Sequence, residues 1–445
     1  MFVSHAVETR HAATAMIHKM SINPGDFTMF GSTSIRASFL LAACFAVPAL
    51  AQDHKLHTFK KITLSEKFNC EGAFYGDFNK DGKMDVVAGP YYYEGPTFEK
   101  KTEIFPVKDY DPKGYSHNFL MYSHDVNGDG WTDVIVVGFP GEPSLWYENP
   151  QNKAGHWKKN TIHMVTDNES PRWGDLTGDG KPELVFHTAG YLGWAAPTED
   201  VTKPWAFSKA SKKGGWQRYT HGFGFGDVNG DGRADLLEAQ GWWEQPQKHV
   251  EEGWVFHKVQ FGKGGAQMYA YDVDGDKDND IVTSLEAHGY GLAWFENTGK
   301  DDKGEIAFKE HRITGSKPED NKYGVKFSQL HAVDMVDMDG DGVLDIVTGK
   351  RWWAHGPGGD AEPNADPVLY WFKTVRSGKA GEVDFVPYQI DNASGVGTQI
   401  TAGDINGDGL PDVIVGNKRG SFVFIHEVKT VSKEEWEKAQ PKPIK

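Results

Sequence analysis

Short runs of β-branched and aliphatic residues recur along the chain, each just after an acidic loop: Asp133-Val-Ile-Val-Val137, Asp280-Ile-Val-Thr283, Asp345-Ile-Val-Thr348 and Asp412-Val-Ile-Val415. Apolar runs of this length, bounded by Gly, Asn and Asp, read as buried strands rather than helices. An aromatic run follows, as in Leu145-Trp-Tyr-Glu-Asn-Pro150, Trp242-Trp243-Glu-Gln-Pro246, Leu292-Ala-Trp-Phe-Glu-Asn297 and Leu369-Tyr-Trp-Phe372. A further run alternates polar and basic residues, as in Trp157-Lys-Lys-Asn-Thr-Ile162, Trp216-Gln-Arg-Tyr219 and Phe308-Lys-Glu-His-Arg-Ile313. With the short strand that leads into each loop, the pattern predicts four strands per repeat.

The loops set the repeat. They begin at Asp77, Asp125, Asp175, Asp227, Asp272, Asp337 and Asp404, at spacings of 48, 50, 52, 45, 65 and 67 residues. That period fits one propeller blade, so the expected fold is all-β: a seven-bladed β-propeller over residues 52–428. The last repeat lacks a fourth strand after Ser421-Phe-Val-Phe-Ile425, and Phe59-Lys-Lys-Ile-Thr-Leu64 has that pattern with no blade of its own. The N-terminal segment is therefore expected to close the ring and remove its open edges. Residues 429–445 read as an exposed tail.

Oxygen donors at loop positions 1, 3 and 5, a turn-making Gly at 6 and a carboxylate at 9 suit a hard cation such as Ca²⁺ or Mg²⁺. The donors are Asp77, Asn79, Asp81 and Asp85; Asp125, Asn127, Asp129 and Asp133; Asp175, Asp179 and Glu183; Asp227, Asn229, Asp231 and Asp235; Asp272, Asp274, Asp276 and Asp280; Asp337, Asp339, Asp341 and Asp345; and Asp404, Asn406, Asp408 and Asp412. The bland reading of such loops is an Asx-rich turn that needs no ion. The third copy departs with Thr177 and Glu183, and the fifth places Lys277 where Gly is expected.

The net charge of −16, from 47 Lys and Arg against 63 Asp and Glu, argues against nucleic acid or anionic lipid, which need clustered cations. Carbohydrate is the expected partner, and the oligomeric state is left open. Residues 1–51 are expected to be an upstream extension and an export signal: Arg36 precedes an apolar run ending in Ala49-Leu50-Ala51, too short to span a bilayer. Cys44 fits a lipoprotein box, but the apolar run continues past it, so plain export to the periplasm or medium is preferred. Only Cys70 would then remain, which excludes an intrachain disulfide.

The loops, preceded by Phe223-Gly-Phe-Gly-Asp227 and Phe74-Tyr-Gly-Asp77, resemble FG-GAP/VCBS repeats. That resemblance implies a propeller with calcium between the first and second strands, and no single activity. Glu286-Ala-His-Gly289, Ser328-Gln-Leu-His331 and Asp337-Met-Asp-Gly-Asp341 resemble segments of the propeller of aldos-2-ulose dehydratases. Those enzymes eliminate water from keto-sugars such as 1,5-anhydrofructose.

If the acidic loops share one face, first-strand starts and second-strand ends gather on the other. The starts carry Glu71, His117, Glu169, His221, Gln267, His331 and Gln399; the ends carry Tyr91, His187, Glu286, His288, Lys350, Arg351, His355, Lys418 and Arg419. Glu169, His221 and His331 are the first choice of ligands for Zn²⁺ or a similar Lewis acid. His288 is the candidate base, with His117 and Tyr91 as further catalytic candidates and Lys350 or Arg351 to stabilise an enolate. Trp242, Trp352, His355, Lys418 and Arg419 are expected to bind substrate, and the Gly/Pro-rich insert 354–367 to overhang the site. Each His is more often a hydrogen-bonded structural residue than a functional one, and Trp pairs often only fill the core. The expected function is a secreted carbohydrate lyase or dehydratase acting on a keto-sugar or oxidised glycoside. A polysaccharide lyase on a uronate polymer and a non-catalytic glycan-binding propeller are the alternatives.

Overall fold

The structure is a computed structural model that describes residues 54–444, so the expected export signal and Cys44 lie outside the described residues. The strand pairing follows the repeat. Ala73–Gly76, Asp85–Ala88, Tyr91–Tyr93 and Lys101–Glu103 pair in chain order as one antiparallel sheet, and Val333–Val336, Asp345–Gly349, Leu369–Arg376 and Val383–Asp391 form another. One long strand, Lys158–Gly174, serves two repeats: residues 158–166 pair with Glu142–Glu148 and residues 167–174 with Glu183–Thr188. Phe223–Gly226 runs parallel to Gln267–Tyr271 and joins two repeats edge to edge. Gly224 is required there, because a Cβ would lie 2.0 Å from the Met268 carbonyl oxygen.

The first strands of the repeats contact one another. Ser123 Oγ donates to the Tyr75 carbonyl (2.6 Å), and Tyr122 Oη to that of Pro171 (2.8 Å). Gly174 lies against the Phe225 ring, and Phe223 pairs with Gln267. Gln267 Oε1 accepts from Val333 N (3.0 Å), Asp334 Oδ2 from Ala402 N (2.9 Å), and Thr401 Oγ1 donates back to the Ala73 carbonyl (2.8 Å). Gln267 and Gln399 spend their amides on this backbone: Gln267 Nε2 donates to Thr398 O, and Gln399 both accepts from and donates to Met121. Their role is structural rather than catalytic.

Between the sheets lie the aromatic runs, with Trp146, Trp242, Trp294 and Trp371 almost wholly buried. Burying rings of this size removes a large apolar area from water, the main favourable term in folding.

The N-terminal strand His54–Ser65 pairs antiparallel with Gly420–Val431, beside Asp412–Asn417 and Ile400–Gly403, in a four-stranded sheet. The tail carries structure of its own. Gly420–Val431 extends past residue 428, and the helix Lys433–Ala439 follows, capped by Ser432, whose side chain accepts from Glu435 N. The tail is fastened by Gln440, which accepts from Tyr388 Oη (2.7 Å), and by Ile444 N, which donates to the Lys322 carbonyl (3.0 Å). Trp216–Tyr219 is not a strand either. The strand is Ala206–Lys209, because Gly214 and Gly215 release the chain into an exposed loop before Trp216.

Candidate functional site

The ends of strands deliver the site. His221 and His331 stand just before the first strands Phe223–Gly226 and Val333–Val336, and Glu71 just before Ala73–Gly76. His288 lies in the turn after Asp280–Ser284, and Arg351 follows Asp345–Gly349. Gly222 (φ 79°) and Gln329 (φ 60°) bend the backbone beside the two strand-start histidines.

These residues meet at one point. His288 Nε2 is 3.1 Å from His221 Nε2, and His331 Nε2 is 3.3 Å from His288 Nδ1. Glu169 Oε2 lies 3.4 Å from His221 Nε2, 3.8 Å from His331 Nδ1 and 3.7 Å from Arg351 Nη1. Arg351 is buried and pairs through Nη2 with the buried carboxylate of Glu71. Glu71 Oε1 and Arg351 Nε have no partner among the described residues, an expensive condition for buried polar atoms and one that invites a ligand. One donor atom from each of His221, His288 and His331 fits within 4.8 Å of the others, the spacing a single cation needs.

The electrostatics suit a metal more than a proton relay. Burial and the neighbouring His221 push His288 down to about 4, and burial with the Arg351 charge pushes His331 well below the usual histidine range. Both imidazoles are therefore neutral, the form in which histidine ligates metal. Burial alone would raise the Glu169 carboxyl, but the hydrogen bond and charge of His221, with Arg351, hold it below the usual carboxylate range. His288 is accordingly better suited as a ligand than as the expected base, since a base works best near the operating pH. Lys418 meets that condition: burial pushes it down to about 8. Its ammonium sits 4.5 Å over the Tyr115 ring and donates to the Trp353 carbonyl (2.8 Å).

The insert after Arg351 folds onto the cluster. His355 places its ring 4.2 Å from that of His288, and Asp360 Oδ1 lies 2.8 Å from His355 Nδ1 and 3.3 Å from His288 Nδ1. Trp353 (φ 58°), Asp360 (φ 59°) and Glu362 (φ 43°) hold left-handed backbone in this short insert, strain of the kind that functional loops retain. Asp360 and Tyr115 are the two site residues that the sequence pattern did not single out.

Other expected residues lie elsewhere. His117 pairs with Glu142 at an exposed position, with its ring 5.6 Å from that of Tyr110, and no contact joins it to the histidine trio among the described residues. Tyr91 belongs to the third strand of its repeat, under the Lys101 ammonium, 4.0 Å away. Trp242 is core, stacked 4.1 Å from the His257 ring, and cannot form a rim. Trp352 stacks on Trp353 (3.8 Å) beneath the Arg419 guanidinium (5.0 Å). Lys350 is buried and donates to Ser328 Oγ (3.0 Å); burial lowers it to about 8 against the pull of Glu362 and Asp360. His187 is buried against Phe223 and pushed down to about 3, an inert structural residue. Burial pushes the Cys70 thiol up to about 12, which rules out a ready thiolate ligand.

Residues 125–186 match the FG-GAP-like repeat family and residues 396–427 the FG-GAP repeat family. Two segments of the chain thus match FG-GAP repeats. Integrin alpha pat-2 of Caenorhabditis briggsae is 24% identical over 277 residues, 49% of this chain, and the chain spans less than a quarter of the length of the curated relatives it matches. A lectin of Agrocybe aegerita that recognises non-reducing terminal N-acetylglucosamine aligns at TM-score 0.45 and 18% identity, over 83% of this chain and 85% of the lectin. Rhamnogalacturonan lyase YesW aligns at TM-score 0.40 and 12% identity, over 83% of this chain and 72% of that enzyme. No helix among the described residues is long and apolar enough to cross a membrane.

The acidic loops follow one plan. In the first, Asp77 accepts from Asp81 N and Gly82 N, while Asp85 accepts from Phe78 N (3.0 Å) and Gly95 N (2.9 Å). The position-9 carboxylate thus staples each loop to its own sheet, and six of the seven are Asp. Burial raises Asp133 and Asp235 to about 7 and Asp280 and Asp345 to about 8. The oxygen-only donors fit a hard cation, and Asp278 Oδ1 and Asp339 Oδ1 are buried without a partner among the described residues. Lys277 takes the left-handed turn (φ 85°) that Gly takes elsewhere, so the fifth loop keeps its shape. In the sixth loop Lys373 reaches Asp339 and Asp341 (2.7 Å), a built-in cation.

Proposed function

We propose that the protein is an exported carbon–oxygen lyase that acts on carbohydrate at the histidine cluster of a seven-bladed β-propeller, closed by its N-terminal strand. The convergence of His221, His288, His331 and Glu169 beside Arg351, Lys418 and Tyr115 carries this reading. Substrates of the required kind have a carbonyl next to an acidic C–H and an oxygen substituent one carbon further on, as in a keto-sugar, an oxidised glycoside or a uronate.

A Zn²⁺ or similar ion held by His221, His288, His331 and Glu169 would supply Lewis acidity toward that carbonyl. Arg351 presents its guanidinium to the oxygen that gains charge, with Glu71 fixing the group in place. The neutral amine of Lys418 takes the α-proton, and the C–H electron pair becomes the new C=C bond. The C–O bond breaks with its pair on oxygen, and the Tyr115 hydroxyl, raised to about 12 by burial, protonates that oxygen. Solvent then carries the proton from the Lys418 ammonium back to the tyrosinate. Oxygen donors of the FG-GAP loops would hold Ca²⁺ as a structural ion.

The test incubates chelator-treated and zinc-repleted protein with 1,5-anhydrofructose, 3-keto-glycosides and uronate polymers and follows ultraviolet absorbance. A zinc-dependent rise from an enone or unsaturated uronate supports the lyase. No rise from folded, metal-loaded protein makes the cluster a glycan-binding site without chemistry.

A further inference from the structure

An aromatic row leads outward from the histidine cluster. The Tyr115 ring lies 6.5 Å from that of His355, the Phe139 ring 5.0 Å from that of Tyr115, and the Tyr219 ring 5.7 Å from that of Phe139. Tyr115 and Phe139 are partly exposed, and Tyr219 is 50% exposed. Single exposed aromatics are ordinary, but a connected row ending at a buried polar cluster is a feature of ligand surfaces.

Cations accompany the row. Arg218 lies across Gly141, where a Cβ would come within 2.2 Å of its Nε, and the left-handed backbone there (φ 87°) also requires glycine. Its charge acts on the carboxyl of Asp167, which burial raises and Arg218 draws back down, in the cavity that both residues line. The loop that carries it, residues 210–222, contains Lys212, Lys213 and Arg218 and no acidic residue, in a chain of net charge −16. Beyond Arg218 opens a cavity of about 600 Å³ lined by His163, Asp167, Tyr191, Phe207 and Lys209. Lys209 lies 4.5 Å over the Tyr191 ring. Flat apolar faces match the faces of sugar rings, and a guanidinium offers two parallel donors to one carboxylate or sulfate.

We propose that Tyr115, Phe139, Tyr219 and Arg218, with the adjoining cavity, form an extended binding track for an anionic oligosaccharide. The sugar at the histidine cluster is then one unit of a chain rather than a free monosaccharide. This rests on the lyase reading of the cluster, but binding along the track does not need the chemistry.

The test therefore uses chelator-treated protein, which binds without turnover. Calorimetry compares galacturonate with tetragalacturonate, a sulfated galactan tetrasaccharide and uncharged cellotetraose. Variants Tyr219→Ala and Arg218→Gln change exposed side chains only. The expected result is that an anionic tetrasaccharide binds at least about tenfold tighter than the monomer, that each variant removes that gain, and that neither alters monomer binding. Which anionic tetramer gains affinity tells uronate from sulfate. Equal affinity for monomer and tetramer, or variants that bind like the parent protein, overturns the track. Length-dependent binding, together with no ultraviolet product from the zinc-repleted protein on the same tetramers, overturns the lyase and leaves the track standing. Product formed equally well from a monosaccharide does the reverse.

Discussion

Asp360 Oδ1 lies 3.3 Å from His288 Nδ1, and the two residues come from neighbouring repeats. A carboxylate at this place takes the Nδ1 hydrogen, on the side where His331 Nε2 also lies (3.3 Å), and leaves the Nε2 lone pair toward His221 Nε2, 3.1 Å away. The Gly/Pro-rich insert thereby becomes part of the site, not a cover over it. Its own anchors are Lys350, Ser328, which donates to the Ala361 carbonyl (2.8 Å), and Lys326 against Glu362 (2.6 Å).

Replacing Asp360 with Asn keeps the shape and removes the acceptor charge. Partners of this kind typically change metal affinity by roughly 10–100-fold. Competition for Zn²⁺ against a chromophoric chelator should therefore show Asp360→Asn weaker than the parent protein by about that factor. Tm should stay unchanged, since the side chain contacts only His288, His355 and the insert backbone. Equal zinc affinity would mean that Glu169 and packing alone orient His288.

Under the proposed lyase reading, Lys418 sets a basic limb. Its amine is pushed down to about 8 by burial, so the reactive neutral form grows as pH rises through that value. With a uronate or keto-sugar substrate, kcat/KM should climb from pH 6 to 8 and level off above it. Lys418→Met should lower the rate by about 10²–10⁴-fold and abolish the limb. Lys350 also titrates near 8, but its ammonium faces Ser328 and the insert. Lys350→Met should therefore retain the limb, and its loss in that variant would move the base to Lys350.

The fifth and sixth loops answer a cation differently. The fifth brings together Asp272, Asp274, Asp276, Asp278 and Asp280, and burial with mutual repulsion raises Asp278 to about 6 and Asp280 to about 8. A carboxyl raised in the folded state stabilises the fold below its unfolded value near 4, and that contribution is lost as pH rises through 6 to 8. Calcium held by these oxygens would relieve the repulsion in the same range. The rise in Tm on adding Ca²⁺ should thus be small at pH 5 and largest at pH 8, by roughly 1 °C for each kcal/mol relieved in a unit of this size. In the sixth loop Lys373 already supplies a charge, held above the usual lysine range by its bonds to Asp339 and Asp341 despite burial. Lys373→Met should lower Tm without calcium and recover it with calcium, as scanning calorimetry would show.

The repeat was legible because each loop must place Asp, Gly and Asp at fixed steps, and the strand starts and ends followed from it. Glu169, His221, His288, His331 and Arg351 were found by counting from those loops. Asp360 was not, because nothing local distinguishes it from other acids in a Gly/Pro-rich insert; only the left-handed backbone aims it inward. Trp216–Tyr219 was read as a strand because aromatic and basic residues alternate there. Exposure overrode that pattern, and the segment became the loop that carries Arg218 and Tyr219. Trp242 looked like a sugar platform, whereas packing against His257 uses its face. Pattern reports which residues share a repeat; it is silent on which side chain wins the space between repeats.

The pairing of His54–Ser65 with Gly420–Val431 should respond to acid. His57 Nδ1 lies 2.9 Å from His426 Nε2 across the pairing of His54–Ser65 with Gly420–Val431. Burial lowers both imidazoles, His426 to about 4, and each charge would repel the other. A histidine depressed in the folded state stabilises the fold above its unfolded value near 6.5, and that contribution is lost as pH falls toward 4. Each unit of depression is worth about 1.4 kcal/mol, enough to loosen one strand before the whole fold. Hydrogen exchange should accordingly show residues 54–65 losing protection between pH 6.5 and 4.5, ahead of Asp345–Gly349. His57→Leu removes one of the two charges and should reduce that early loss. Uniform loss of protection across both segments would place the acid sensitivity elsewhere.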